Sequence, residues 1–133
     1  MKNIADTGLL LAALDKTDPF HDWGVKEFQD HAPFVTCDAV LVELSYHLND
    51  PIPGMKLVEH GDLILDFNLS AEAASVLDLL HKYHDRKMEL ADACLLRMTE
   101  LNSQCKIWTV DREDFSVYRR HGRQPVPCAF PPG

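Results

Sequence analysis

Short β-type stretches alternate with helical stretches along the whole chain, and that alternation constrains the fold more than any other feature. Residues 2–5 form a brief, mainly apolar stretch, and TGLLLAAL (7–14), apolar on nearly all sides, predicts a largely buried helix. DPFHDWGVKEFQDH (18–31) reads as a second, more exposed helix with Pro19 near its start, and APFVT (32–36) as a short strand. Asp38 is placed to cap the helix AVLVELSYHL (39–48). NDPIPG (49–54), with two prolines and a glycine, reads as a break. DLILDFNLS (62–70) predicts a strand. Ser70, Glu72 and Ala73 then open a helix whose Ala74, Leu77, Leu80 and Tyr83 make one apolar stripe. A helix around Asp92 follows, then the strand CKIWTV (105–110) and a turn with a short helix over 111–122. From about residue 124 a proline-rich tail is expected to be extended or irregular, since the last eleven residues hold four of the chain's eight prolines. The pattern is that of an α/β domain over residues 1–133 with a mainly parallel sheet covered on both faces, and it contains no internal repeat.

In open α/β sheets, ligands bind outside the carboxyl ends of the strands. Two acids fall at such ends, Asp6 after the first strand and Asp111 after KIWTV, with Thr7 and Thr109 beside them as hydroxyl supports. Two more interrupt apolar helical stretches, Glu43 in AVLVEL and Asp92 in ELADACLLRM. At helical spacing Asp92 shares a face with Met88, Leu95, Leu96 and Thr99. An ionised carboxylate buried there without compensation is costly. Four acids from four elements are therefore expected to converge at one mouth of the sheet, where they repel one another unless neutralised. No lysine or arginine is interleaved among them, so a divalent cation is the economical answer. An all-oxygen ligand set favours Mg²⁺ or Mn²⁺, which suits phosphoryl chemistry.

With those acids in place, the segments IADTGLL, CDAVLVELSYHL, MELADACLLRMTEL and IWTVDREDF together resemble the PIN domain, and in particular the VapC-type toxin ribonucleases of toxin–antitoxin modules. The resemblance covers nearly the whole chain, with the motifs in the family's order. It implies a Rossmann-like three-layer α/β/α fold and Mg²⁺- or Mn²⁺-dependent endonucleolytic cleavage of RNA. It also implies a frequent homodimer and, for toxins of type II modules, a small antitoxin partner. By position, Asp6, Glu43, Asp92 and Asp111 match the family's metal-binding and catalytic acids, and Asp114 matches a further acid that some members add. Between Glu43 and Asp62 the two prolines give no sign of the helix pair that many of these toxins extend towards the antitoxin.

Plainer readings stand beside these. Asp92 and Asp6 are each placed to cap a helix, a role compatible with holding a metal. Glu43 fits a solvated helix edge, and Asp111 and Asp114 fit loop acids paired with Arg112 or Arg119. Arg112, Arg119, Arg120 and Arg123, with Lys106 nearby, form a basic stretch that reads equally as a solvated turn and as an RNA-phosphate strip. His81 and His84 stand three residues apart but have no matching second pair for zinc, so they read as a solvated helix face. Two other function classes remain: a PIN-like interaction module without activity, and phosphoryl transfer through an aspartyl-phosphate. The latter needs D-x-D at the first strand end, where Gly8 stands instead of a second acid.

Composition narrows the setting. The formal charge of −8 argues against an enveloping nucleic-acid sleeve but leaves room for a phosphate substrate if cations supply the positive charge. Cys37, Cys94, Cys105 and Cys128 show no C-x-x-C pair or zinc spacing, and the first three read as buried hydrophobes in a reducing compartment. No apolar run reaches the roughly 20 residues a membrane span needs, and Asp6 interrupts the one stretch that resembles a signal core. A cytoplasmic protein is expected.

Overall fold

The computed structural model describes residues 1–133. Its elements run β1 (Lys2–Ala5), α1 (Thr7–Leu14), α2 (His21–His31), β2 (Phe34–Thr36), α3 (Asp38–Leu48), α4 (Ile52–His60), β3 (Leu63–Leu65), α5 (Ala73–Lys82), a 3-10 turn (His84–Arg86), α6 (Leu90–Leu101), β4 (Cys105–Trp108), α7 (Arg112–Val117), β5 (Arg119–Arg120), β6 (Gln124–Pro125) and β7 (Cys128–Ala129). The main sheet has the order β3-β2-β1-β4-β7, and every pairing in it is parallel. Ile4 of the central β1 pairs with Val35 on one side and Ile107 on the other. Helices lie on both faces, so the fold is the expected α/β class in three layers. None of the helices is long and apolar enough to cross a membrane.

Connectivity positions the site. The chain winds outward from β1 through β2 to β3, then crosses back so that β4 lies on the other side of β1. The reversal makes β1/β4 the switch point, where the loops leaving two neighbouring strands diverge and open a crevice. Ile4, Leu9, Leu10, Phe34, Leu44, Leu63, Leu95, Leu96 and Ile107 are fully buried behind that edge. As expected, α1 has no exposed residue, and Cys37, Cys94 and Cys105 are buried free thiols.

Several local expectations are corrected. The NDPIPG segment does not simply break the chain, because α4 starts inside it. Pro51 occupies the cap position and Pro53 the first turn of α4, where a missing N–H removes no helical hydrogen bond. α4 packs on α3 at Gly54, where an added Cβ would lie 2.8 Å from Leu41 Cδ1, so the stretch between Glu43 and Asp62 holds the end of α3 and one further helix paired with it. Asp38 is the first residue of α3 rather than its cap, and Cys37 takes the cap position. β3 stops at Leu65 instead of running to Ser70, since it is an edge strand and β2 ends opposite it at Thr36. α2 begins at His21, after Asp18 has used its carboxylate to accept from the Phe20 N–H. α5 begins at Ala73 with Glu72 before it, and it buries Val76, Leu79 and Tyr83 while Ala74 and Leu77 stay exposed. Both stripes obey helical spacing, and docking on α6 chooses between them. The proline-rich tail is extended as expected, and its Cys128–Ala129 segment adds a fifth strand beside β4.

The tightest helix contact is at Gly24. A Cβ there would lie 2.7 Å from Ala12 Cβ and 2.7 Å from the Ala13 backbone nitrogen, so α1 and α2 approach closely only with glycine at this position. Gly24→Ala is expected to lower stability by about 2 kcal/mol through overpacking, read as a reduced urea midpoint at unchanged slope.

Candidate metal centre

The loops leaving β1 and β4, with α3 and α6, enclose an open cleft of about 630 Å³ at the switch point. Six acids line it: Asp6, Glu43, Glu89, Asp92, Asp111 and Asp114. The five acids singled out in the sequence are thus brought together, and Glu89 joins them.

Asp6 anchors the floor. It caps α1, with Oδ1 accepting from the Thr7 N–H (2.7 Å) and Oδ2 from the Thr109 hydroxyl (2.6 Å). The Thr109 oxygen in turn accepts from the Asp111 N–H at 3.0 Å, tying the ends of β1 and β4 together. The Thr7 hydroxyl donates to Glu43 Oε1 at 2.8 Å, which fixes a side chain that a solvated helix edge would leave free. Both threonines therefore support carboxylates. Asp111 caps α7, its Oδ1 accepting from the Asp114 N–H at 3.0 Å.

Asp92 does not cap α6, because Glu89 holds that position and Asp92 lies in the first helical turn. Its compensation includes a side chain no spacing rule could reveal: Tyr118, itself buried, donates its hydroxyl to Asp92 Oδ2 at 3.0 Å. Tyr118 packs edge-on against Phe115 and Tyr83, so its ring has little freedom. One oxygen each from Asp92, Asp111 and Asp114 lie within 4.8 Å of one another.

Electrostatics sets this cluster apart from solvated acids. Burial, with the charge of Asp6 second, pushes the Asp92 carboxyl up to about 7. Burial also raises Asp6 and Asp111 above the ordinary carboxylate range. Glu89 is raised by its hydrogen bond to Glu43 and by that neighbour's charge. Only one arginine pairs with an acid of the cleft, Arg86, whose Nη2 donates to Asp114 Oδ1 at 2.8 Å. Crowded oxygen donors short of positive charge fit a hard divalent cation, and no sulfur or imidazole donor lies among the three grouped aspartates.

The basic stretch read from the sequence is not gathered at the cleft. Arg112 donates to the Pro131 carbonyl and stacks on Phe130, 4.8 Å from the ring centroid. Arg119 donates to the Ser116 and Tyr118 carbonyls at 2.8 and 2.9 Å, and Arg120 to the Thr99 carbonyl at 3.0 Å. Arg123 is exposed. His81 and His84 are exposed as expected. Sequence reasoning missed Glu89, Tyr118 and Arg86. Only Glu89 left a signal, standing three residues before Asp92 on the same helical face.

Compared with protein-family models and with curated proteins, the chain matches none of them.

Tyr118→Phe keeps the ring and removes one hydroxyl. It is expected to weaken Mn²⁺ binding about tenfold with little change in circular dichroism, because losing a partner that orients a ligand typically costs that much. Isothermal titration of the variant and the parent checks this.

Proposed function

We propose that the protein is a divalent-metal-dependent phosphodiesterase acting on RNA, an endoribonuclease of the PIN-domain, VapC-toxin type. One observation carries the reading: acids from four separate elements meet in one crevice at the β1/β4 switch point, where burial raises the carboxyls of Asp6, Asp92 and Asp111. The four sequence motifs that resemble the PIN domain contribute those same residues.

Asp6, Glu43, Asp92 and Asp111 would hold Mg²⁺ or Mn²⁺, with Asp114 at the rim. A cation held there would supply a water of lowered pKa as nucleophile and charge neutralisation at the scissile phosphodiester. The protein's own part is positioning. Thr109 and the Thr7 N–H hold both oxygens of Asp6, Thr7 holds Glu43, and Tyr118 holds one oxygen of Asp92. Asp92, its carboxyl pushed up to about 7, would have to release its proton to serve as a ligand. The cleft is open to solvent on its outer side, which suits a chain substrate better than a small enclosed ligand. A homodimer and a small antitoxin belong to the same reading.

The residues at the first strand end do not favour an aspartyl-phosphate mechanism. Gly8 stands where its second acid belongs, and a Cβ at that position would lie 2.5 Å from Val110 Cγ2. The test is incubation of the purified protein with a structured RNA. Endonucleolytic fragments are expected with Mg²⁺ or Mn²⁺ and none with EDTA. Intact RNA from a protein that binds Mn²⁺ would favour the silent interaction module instead.

A further inference from the structure

The cation that reaches an acid of the cleft, Arg86, comes not from the 112–123 stretch but from the turn between α5 and α6. Residues 81–87, HKYHDRK, carry Lys82, Arg86 and Lys87 against the single acid Asp85, in a chain whose net charge is −8. Arg86 links this turn to the cleft through Asp114, and its hydrogen bonding there uses only Nη2. The other guanidinium donors have no partner. The Lys87 side chain makes no ion pair or hydrogen bond, while its backbone N–H donates to the His84 carbonyl at 2.9 Å and closes the turn in the left-handed region with φ 56° and ψ 46°.

A second hollow, about 580 Å³, opens beside the acid cleft, lined by Leu80, His84, Asp85, Lys87 and Met88. Arg86, flanked in the turn by Asp85 and Lys87 of this hollow, pairs with Asp114 of the acid cleft and so ties the turn to both depressions. The hollow combines apolar Leu80 and Met88 with Lys87, His84 and one acid, Asp85, and Arg86 stands next to it in the turn. That is the chemistry of a nucleotide subsite, the base lying on apolar surface and the phosphate drawn to Lys87 and Arg86.

We infer that this hollow and the Arg86–Lys87 rim bind a single-stranded RNA nucleotide next to the scissile bond. The inference rests on the phosphodiesterase reading of the acid cleft and supplies its substrate track. Arg86 then has two partners in turn, Asp114 in the resting protein and an RNA phosphate in the complex. The pair it leaves is half-exposed and contributes little to the fold.

The experiment combines Arg86→Gln with Lys87→Asn, since asparagine tolerates the left-handed backbone. Binding of a labelled polyuridine oligonucleotide is followed by fluorescence anisotropy over a range of salt, in an Asp92→Asn background that prevents cleavage. Mn²⁺ binding is measured by titration with Asp92 intact, and Lys26→Gln on α2 serves as the control. Expected are an RNA affinity about tenfold lower at low salt and a salt slope shallower by about 1.4, the value for two lost single-strand phosphate contacts. Mn²⁺ should still bind, within about tenfold of the parent since Arg86 orients Asp114, and the Lys26→Gln control should keep the parent's RNA affinity. RNA affinity and salt slope equal to the parent's would overturn the inference. A parent chain that binds no Mn²⁺ and cuts no RNA, yet loses RNA binding on the double substitution, would overturn the nuclease reading and leave the RNA track standing.

Discussion

Asp92→Asn is expected to abolish RNA cleavage while leaving the protein folded, with the cation-free protein at least as stable as the parent at neutral pH. The loss should be on the order of a thousandfold or more, because a cation in such a site supplies several kcal/mol of charge stabilisation to the reaction and each 1.36 kcal/mol is about tenfold in rate. The stability half of the expectation follows from the surroundings of the carboxylate. Burial and the neighbouring Asp6 already disfavour its ionised form, so an uncharged amide of the same shape relieves a penalty. Tyr118 can still donate to the amide oxygen, as it now donates to Oδ2. Activity measured on a structured RNA, with thermal unfolding in EDTA beside it, separates the two effects. Parent-level cutting by the variant would remove Asp92 from the metal centre. A large drop in unfolding temperature would instead make the carboxylate a structural group.

Much of this site could be read before the structure, and its omissions have a common cause. Asp6 and Asp111 were legible because strand ends are legible: a short apolar stretch followed by an acid marks a carboxyl edge, and the fold then places both at the β1/β4 reversal. Glu43 and Asp92 were legible because each breaks an apolar helical face. Tyr118 was not, since its contact with Asp92 spans 26 residues of chain and depends on how α7 turns back towards α6. A tyrosine in YRR carries no mark of the acid it will meet. The arginines were equally open to two readings, a solvated turn and a phosphate strip. The irregular segments around α7 leave carbonyls unpaired, and Arg112, Arg119 and Arg120 donate to carbonyls there and at the end of α6, contacts that neither reading foresaw. Arg86, in a less conspicuous turn, kept most of its donors free. α4 was missed for a different reason: proline was read as a breaker, although at Pro51 and Pro53 it starts a helix.

Stability without added cation is expected to fall as pH rises through neutrality, and Mn²⁺ is expected to reverse that trend. The sign follows from proton counting. Asp92 in the folded protein titrates at about 7 against an ordinary value of 3.8, so between those values the native state binds more protons than the unfolded chain. Its contribution is fully present below the unfolded value and is lost as pH rises through about 7. Asp6, Asp111 and Glu89 are shifted in the same direction and reinforce it. In EDTA the unfolding temperature should therefore drop by on the order of 5 °C between about pH 5 and about pH 8. A divalent cation needs the deprotonated carboxylates, so its binding expels the protons that burial retained, and its affinity climbs over the same interval. At a hundred times its dissociation constant it would add about 2.7 kcal/mol, enough to offset the repulsion it neutralises. Unfolding followed by circular dichroism with EDTA or Mn²⁺ across this range checks both halves. The gap between the two curves should be small in acid and widest above neutrality. A cation effect of the same size at every pH would mean that Mn²⁺ binds elsewhere on this acidic chain, and Asp92→Asn, which removes the titrating group, should collapse the gap only if it binds here.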